Sequence, residues 1–482
     1  MALLPLWLNR RRRPSAPDFR LPPSPWALPV LGHLHHLASD LPHRAIGDLA
    51  RRHGPLVMLR LGGLPVVAAS SADAAREVMP RMVRLSIPLG AEGIIFASYG
   101  DDWRQLRKIC TVELLSARRV RSFRPVREEE AGRLLRAVAL SASRGTANLS
   151  ELLSVYTADS SVRAVIGSRF KDRGAFLALL RRGTKLFAGM SLPDLYPSSR
   201  VAMLLSRTPG RMRQHRQELA AFRDAIVREH QEVRRADEEE EDLLDVLLRI
   251  QREGDLQFPL STDNIKSAVG DMFAGGSETA ATTLQWAMSE LVRNPRTMLT
   301  AQDEVRLALA GQPMVISLAW VLTHGDRGLP TRSKLPAPGG KETLRLHPPA
   351  PLLLPRECRS DGCRVLGYDV PKGTMVLVNA WAISRDPVYW EAAEEFVPER
   401  FECGEAADFK GADMEYTPFG AGRRMCPGMA FGLANVELAL AGLLYHFDWE
   451  LPGGAEGGEL DMAEEMGVTV RRRNDLVLVP VA

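Results

Sequence analysis

The strongest constraint on the fold of this chain is one short loop, FGAGRRMCPG (Phe419–Gly428), followed at once by a long apolar stretch. Cys426 precedes the helix that this stretch predicts, and the dipole of a helix favours the thiolate form of a cysteine at its N-terminus. Gly422 permits a tight turn, and Gly428 permits the close approach of a flat ligand. Arg424 is placed to pair with an anionic group. A lone cysteine is more often a buried structural residue, but the spacing of its neighbours here favours a ligand.

The composition is that of an ordinary globular protein, since 45% of the 482 residues are hydrophobic and 25% are charged. A formal net charge of +3 is small for this length and does not indicate a nucleic-acid partner. The cysteines contain no CxxC pair, so they do not form a disulfide framework, and this suits a reducing compartment. They are Cys110, Cys358, Cys363, Cys403 and Cys426.

Helical patterns dominate the middle of the chain, from Trp103 to about Leu309. The longest pattern runs from Thr262 to Asn294, with apolar residues at a helical period, and Pro295 stops it. The flanking regions are rich in short β-like runs. We therefore expect a mainly α chain with small β-sheets (an α+β fold) that forms a single large domain.

Two hairpins are predicted outside the helical region. Apolar runs on either side of Gly62-Gly63 predict a hairpin at Pro55–Ala69. The alternating sequence near the C-terminus, VTVRRRNDLVLVPV, predicts a second hairpin that turns at Asn474-Asp475.

A second motif, DMFAGGSETA (Asp271–Ala280), lies inside the longest predicted helix. The adjacent Gly275 and Gly276 each cost about 1 kcal/mol relative to alanine in a helix interior. Either close helix packing or room for a small molecule explains them. An acid and a hydroxyl, Glu278 and Thr279, follow directly.

Two further motifs are weak in isolation. The segment KETLRLHPP (Lys341–Pro349) places Glu342 and Arg345 three residues apart, and such a pair is usually a surface contact worth ~0.2–0.5 kcal/mol. The segment WRQLRK places Trp103 and Arg107 four residues apart, which also suits an ordinary amphipathic helix.

Together these motifs resemble the cytochrome P-450 superfamily, in the order that the family has them, from about Leu21 to the C-terminus. The loop matches the family's heme-binding pattern F-x-x-G-x-R-x-C-x-G. The resemblance implies the cytochrome P-450 fold, with heme b between the long central helix and the cysteine loop, and Cys426 as the axial ligand of the iron. The residues that it implies for cofactor binding are Trp103, Arg107, Arg356, Phe419, Gly422, Arg424, Cys426 and Gly428.

The resemblance also implies roles for the other motifs. Glu278 and Thr279 would be catalytic and handle the protons that oxygen activation consumes. Glu342 and Arg345 would be buried and joined by Arg400, from the PERF segment, as a structural triad. The substrate pocket would use four segments: Leu85–Ser98, Ala274–Gly275, Pro351–Leu353 and Met466–Val468.

The implied activity is that of a monooxygenase that inserts one oxygen atom from O2 into a small lipophilic substrate. Electrons would come from NADPH through a separate flavoprotein reductase, because no G-x-G-x-x-G fingerprint is present. A basic face with Arg104, Lys108 and Arg423 is a candidate surface for that acidic partner. The motifs resemble plant microsomal members most, which oxidise specialised metabolites such as terpenoids. Such members are expected at the cytosolic face of the endoplasmic reticulum membrane, here as a monomer.

Three parts of the chain depart from the family. The stretch from Met79 to Trp103 looks shorter than is usual in the family. Residues 1–20 resemble a truncated leader, because the apolar run Met1–Leu8 is far shorter than the roughly 20 residues that span a membrane. The catalytic domain would be residues 21–482. Within it, Val315–Gly340 matches nothing expected before the E-x-x-R helix and predicts an irregular loop, a short following helix and weak heme retention. The alternatives to a monooxygenase are a heme-thiolate isomerase or dehydratase, and a defective non-catalytic member.

Overall fold

The computed structural model of the chain describes residues 20–38, 41–82, 93–168, 173–186, 191–232, 241–309, 337–402 and 407–481. Helices dominate these residues. In chain order they are α1 (Pro42–His53), α2 (Ala72–Arg81), α3 (Asp101–Ile109), α4 (Ala117–Ser122), α5 (Arg124–Ala142), α6 (Leu149–Ile166), α7 (Arg173–Leu186), α8 (Leu192–Leu195), α9 (Arg200–Leu205), α10 (Thr208–Glu232), α11 (Leu243–Glu253), α12 (Thr262–Arg293), α13 (Pro295–Leu309), α14 (Ala337–Leu346), α15 (Ala380–Ile383) and α16 (Met429–His446).

The strands are short and form small sheets at the edges of the helical body. They are β1 (Leu56–Leu61), β2 (Leu64–Ala69), β3 (Ala147–Asn148), β4 (Arg356–Glu357), β5 (Cys363–Val365), β6 (Tyr368–Val370), β7 (Met375–Val378), β8 (Asp448–Glu450), β9 (Glu464–Glu465), β10 (Arg471–Arg472) and β11 (Val477–Val481). One sheet has the order β1-β2-β7-β4, with β2 and β7 parallel and its other pairs antiparallel. The mainly α architecture with small sheets is the fold class that the sequence predicts.

The long helix α12 runs through the centre of the molecule and divides its core. Its first half packs with α6, α7, α10 and α11 in one apolar cluster, and its second half packs with α5, α6 and α16 in another. The change between the two clusters falls at residues 274–279, where the glycine pair interrupts the apolar period. Ser261 caps the helix by accepting a hydrogen bond from the Asn264 amide (3.0 Å).

The helix α14 is held by a buried ion network. The guanidinium of Arg345 donates to both carboxylate oxygens of Glu342 at 2.8 and 2.7 Å, and both side chains are fully buried. Arg400 donates to the same carboxylate at 3.1 Å. Arg345 also donates to the backbone carbonyls of Ser384 (2.7 Å) and Glu395 (2.9 Å). The network therefore fixes the chain from 384 to 400 against α14.

The first predicted hairpin is confirmed, since β1 and β2 are antiparallel and turn at Gly62-Gly63. The hairpin predicted at Asn474-Asp475 is wrong. Strand β10 pairs with β9, which precedes it, whereas β11 pairs with β3 and β8. The two halves of the predicted hairpin thus find partners elsewhere in the chain.

The expectation for Val315–Gly340 is tested only at its end. Helix α14 begins at Ala337, so it includes Gly339 and Gly340 rather than starting after them. A hydrogen bond from the Thr343 hydroxyl to the Gly339 carbonyl (2.8 Å) lies within this first turn. Residues 315–336 lie outside the described residues, and the expectation of weak heme retention stays a prediction.

Removing the charge of Glu342 is expected to destabilise the fold. The Glu342→Gln variant keeps the shape of the side chain but leaves two arginines facing a neutral amide in a buried site. A buried ion pair that loses one partner costs about 3–5 kcal/mol. The free energy of unfolding, from the urea midpoint, should fall by about 3 kcal/mol or more.

The matched control is Asp73→Asn, which removes an acid from an exposed pair with Arg76 on α2 at the same three-residue spacing. Its effect should stay within about 0.5 kcal/mol, because exposed pairs contribute little. Equal effects of the two substitutions would contradict the structural role given to the buried network.

Candidate functional site

The cysteine loop lies between the end of α2 and the start of α16. The Cys426 amide donates to the Phe419 carbonyl at 2.9 Å, which closes the loop on itself. Gly422 has a φ of +69°, and a Cβ there would lie 3.0 Å from the Met79 carbonyl oxygen. A side chain at this position would therefore be strained both by its backbone and by its neighbour. The Phe419 ring packs edge-on against Phe409, with centroids 5.4 Å apart.

The Cys426 side chain is solvent-accessible, although protein surrounds it on most sides. Burial raises the pKa of the Cys426 thiol, while a hydrogen bond from the Gly428 backbone and the positive charge of Arg107 act to lower it. Burial is the largest of these effects. A coordinated metal ion deprotonates a cysteine thiol directly, so the raised pKa is compatible with a ligand.

Trp103 and Arg424 stack beside this loop. The guanidinium of Arg424 lies 4.1 Å from the centroid of the Trp103 ring. Arg424 donates to the backbone carbonyls of Ala97 (2.7 Å) and Ile95 (3.4 Å), and the Trp103 indole N–H donates to the carbonyl of Ile94 (3.0 Å). The two side chains are therefore fixed by one short backbone segment, residues 94–97.

Arg107 and Arg356 lie near Arg424. Arg356 donates to two backbone carbonyls at the end of α2, at 2.9 and 3.0 Å, and its Nε has no hydrogen-bond partner among the described residues. Burial lowers the pKa of Arg356 to about 10. Burial also lowers the pKa of Arg424 to about 10, and repulsion from Arg107 and Arg356 adds to this effect. Three mutually repelling cations in a buried place favour an anionic ligand.

Asp271 is a site residue that the sequence analysis did not single out. Its Oδ2 accepts hydrogen bonds from the amides of Ile94 (2.6 Å) and Ile95 (3.0 Å), and the side chain is partly buried. Burial raises its pKa to about 7, although these amides act to lower it. Asp271 thus connects α12 to the segment that holds Trp103 and Arg424. The one sequence feature that could have indicated this role is an acidic residue within the apolar face of a helix.

The structure separates the roles of the two glycines in α12. A Cβ at Gly276 would lie 2.7 Å from the Ser161 hydroxyl of α6 and 3.6 Å from the ring of Phe431, so Gly276 permits close helix packing. At Gly275 the nearest atom would be in Ile95, 3.9 Å away. The preceding Ala274 is exposed in the middle of a helix that is otherwise largely buried. Close helix packing therefore explains Gly276, and room for a small molecule explains Gly275.

Thr279 and Glu278 point to different surroundings. The Thr279 hydroxyl donates to the Gly275 carbonyl at 2.6 Å. Glu278 lines a cavity of about 140 Å³, together with Arg181 and Arg471. Burial raises the pKa of Glu278, and the charges of Arg471 and Arg181 oppose this effect. The rest of the lining is mainly polar and includes Ser150, Ser154, Ser277, Thr282 and Gln285.

Residues just outside two of the predicted substrate segments, Pro351–Leu353 and Met466–Val468, meet beside α12. The Val470 amide donates to the Pro349 carbonyl at 2.9 Å, and the Trp286 indole of α12 donates to the Val470 carbonyl at 3.1 Å. Leu353 has a φ of +48°, a strained conformation for a branched residue that is often found at functional sites. In the first predicted segment, Leu85–Ser98, residues 85–92 lie outside the described residues.

These features fit a flat, negatively charged metal cofactor. Cys426 offers an accessible sulfur, Gly275 and Gly428 carry no side chain that would block a flat ring, and three arginines lie where an anionic edge would be stabilised. A single cysteine sulfur beside a cluster of cations is a donor set that fits a heme with one cysteine ligand.

The comparison with protein families decides the assignment. The model of the family described as Cytochrome P450 matches residues 22–479. The chain belongs to the cytochrome P450 family. As a cytochrome P450 it uses heme b, takes electrons from NADPH through a reductase, and acts as a monooxygenase with O2 and an organic substrate.

Curated plant proteins are similar to this cytochrome P450 over nearly their whole length. Desmethyl-deoxy-podophyllotoxin synthase of Sinopodophyllum hexandrum is 46% identical, over 96% of this chain and 92% of that protein. Germacrene A hydroxylase of Barnadesia spinosa is 43% identical, over 95% of this chain and 92% of that protein. Premnaspirodiene oxygenase of Hyoscyamus muticus is 42% identical, over 98% and 95%.

Proposed function

We propose that Cys426 is the axial ligand of the heme iron and that Trp103, Arg107, Arg356 and Arg424 hold the anionic edge of the heme. The observation that carries this proposal is the accessible Cys426 sulfur in a loop closed by its own backbone, next to three converging arginines. When bound, the heme supplies the activation of O2 and the insertion of one oxygen atom. The protein supplies binding, orientation and charge.

Thr279 and Glu278 handle protons in this proposal. The Thr279 hydroxyl lies beside Gly275, where α12 leaves open space, and it can hold or pass on a proton there. Glu278 faces the polar cavity, and its raised pKa keeps a larger fraction of the carboxyl protonated than in water. The cavity gives water a polar route to Glu278, and water carries the proton onward, because Glu278 and Thr279 face different surroundings.

The proposed substrate is a small lipophilic specialised metabolite of plants, such as a terpenoid. Two relatives have names that state oxygenation of premnaspirodiene and hydroxylation of germacrene A. Ile95, Ala274 and Gly275 offer apolar surface beside α12. An apolar pocket with few polar groups suits a hydrocarbon-rich ligand.

The experiment is incubation of the purified protein with a plant reductase, NADPH, ¹⁸O2 and a panel of terpenoids. We expect a product that gains one ¹⁸O atom and requires NADPH. A product that forms without O2 and NADPH would instead indicate an isomerase or dehydratase. Heme-loaded protein without any product from a broad panel would contradict the proposed substrate class.

Thr279→Ala tests the proton role. Heme content and substrate binding should stay as in the unchanged protein, because among the described residues the hydroxyl bonds only within its own helix. Product per NADPH should fall by about ten-fold or more, with hydrogen peroxide formed instead; a positioned acid contributes ~100-fold or more, and water replaces part of it. Product and peroxide are quantified against NADPH consumed.

The matched control is Thr283→Ala, one helical turn further along. The Thr283 hydroxyl makes the same kind of bond, to the Thr279 carbonyl at 2.9 Å, but lies away from the open space. Its loss should leave the ratio of product to NADPH nearly unchanged. If both variants behave alike, the hydroxyl of Thr279 has only a structural role.

The reductase is proposed to dock on the face that carries Arg104, Lys108 and Arg423. All three side chains are exposed, on α3 and on the cysteine loop. Arg423 also contacts Tyr99, through a 3.4 Å hydrogen bond to its hydroxyl, which connects the loop to the start of α3. A positive face close to Cys426 suits an acidic flavoprotein partner and a short electron path.

A monomer at the cytosolic face of the endoplasmic reticulum membrane is the proposed location. Exposed apolar residues lie on α9, among them Leu204 and Leu205, and Val30 is exposed as well. The Tyr196 hydroxyl donates to the Val30 carbonyl at 3.2 Å, so these two regions adjoin. Among the described helices only α16 is long and apolar enough to cross a membrane, and it is 56% buried in the core.

The apolar surface is tested by replacing Leu204 and Leu205 together by aspartate. Each leucine that enters a lipid interface contributes ~1.5 kcal/mol or more, so binding to anionic liposomes should weaken at least ten-fold. Co-sedimentation measures the bound fraction. The control is Leu140→Asp, an exposed leucine on α5. Unchanged binding of the double variant would contradict the proposed membrane surface.

A further inference from the structure

Three potential metal ligands meet where α10 ends and α11 begins. His230 lies in the last turn of α10, Asp242 is the N-cap of α11, and Asp245 lies in the first turn of α11. The His230 Nε2 lies 2.7 Å from Asp245 Oδ1 and 3.5 Å from Asp242 Oδ1. One ligand atom from each residue lies within 4.8 Å of the other two.

A helix cap and an ion pair explain only part of this cluster. Asp242 Oδ1 accepts a hydrogen bond from the Asp245 amide at 2.9 Å, and Asp245 Oδ2 accepts one from the Asp242 amide at 3.3 Å. Asp242 Oδ2 is buried and accepts no hydrogen bond from the described residues, and the Asp242 side chain is only 7% exposed. A buried carboxylate oxygen without a donor is costly unless a cation or a proton satisfies it.

Two carboxylates share one imidazole in this cluster. Asp242 and Asp245 both lie against His230, through Asp242 Oδ1 and Asp245 Oδ1. A cation bound between the two carboxylates would balance the second negative charge. Asp245 is 40% exposed, so an ion can enter from solvent on its side.

We propose that His230, Asp242 and Asp245 form a zinc site that joins the end of α10 to the start of α11. One imidazole nitrogen and two carboxylate oxygens are ligands that Zn²⁺ accepts, with water completing a tetrahedron. Ligand atoms ~2.0–2.2 Å from a tetrahedral ion lie about 3.4 Å apart, close to the 3.5 Å between His230 and Asp242. Zinc replaces the proton shared by His230 and Asp245, and these atoms then move apart.

The bound ion fastens two helices that cover the centre of the molecule. Helix α10 packs on α7 and α12, and α11 packs on α6 and α12, so both rest on the long central helix. A link between them stabilises the folded state, because the three ligands are brought together only on folding. Hard cations such as Mg²⁺ prefer all-oxygen sites and are not expected to replace zinc.

The test is isothermal titration of the untagged, chelator-treated, heme-loaded protein with Zn²⁺, together with melting curves. We expect a site of one equivalent and a melting temperature that rises with Zn²⁺ but not with Mg²⁺. Asp242→Asn and Asp245→Asn should each weaken this site at least ten-fold, since even an outer-sphere partner contributes ~10–100-fold. Asparagine still caps a helix, so α11 is retained in Asp242→Asn.

Two controls separate this site from other zinc ligands. Glu253→Gln removes an acid from the far end of α11, and a variant with His35 and His36 both changed to Gln removes a partly buried pair of adjacent imidazoles. Both should keep the affinity of the unchanged protein. The proposal is overturned if the unchanged protein shows neither saturable Zn²⁺ binding nor a rise in melting temperature. It is equally overturned if Asp242→Asn and Asp245→Asn, folded as judged by circular dichroism, bind Zn²⁺ as tightly as the unchanged protein.

Discussion

The buried ion network of Glu342, Arg345 and Arg400 is the interaction on which the rest of the site depends. Arg345 donates hydrogen bonds to backbone carbonyls between residues 384 and 395. Arg400 donates to the carboxylate of Glu342. The Tyr416 hydroxyl donates to the Lys341 carbonyl (2.7 Å), which brings the chain leading to the cysteine loop onto α14. A charged network in a dry core costs free energy unless every partner is present. The network therefore fixes one arrangement of the segments around Cys426.

The second constraint is the change of packing within α12. Each half of this helix belongs to its own apolar cluster. The residues between the two halves belong to neither cluster and contribute to the site. Gly276 accepts the close approach of α6, Gly275 leaves space, and Asp271 fixes the segment that holds Arg424. The cost of two glycines in a helix is about 2 kcal/mol, and packing along the rest of the helix offsets it. The helix is thus locally less stable where it forms the site in the centre of the fold.

Local sequence patterns predict much of the fold and of the site. Contacts between residues that are far apart in the sequence could not be predicted from such patterns. The spacing around Cys426 and the period of α12 are local, so the sequence alone indicates a ligand and a long helix. The buried ion network was predicted from the resemblance to cytochromes P-450, because the three-residue spacing alone does not predict it. The C-terminal hairpin was wrong because β11 pairs with β3 and β8 instead. Asp271 was missed because its role depends on burial and on amides at Ile94, about 180 residues away in sequence.

The central claim is that Cys426 alone binds the heme iron, and the absorption spectrum of the reduced, carbon monoxide-bound protein tests it most directly. The unchanged protein should show the red-shifted Soret band of a thiolate-ligated heme. Cys426→Ser should lose that band, whereas serine at any of the other four cysteines should keep it. A red-shifted band that persists in Cys426→Ser, in protein that still carries heme, would contradict the account.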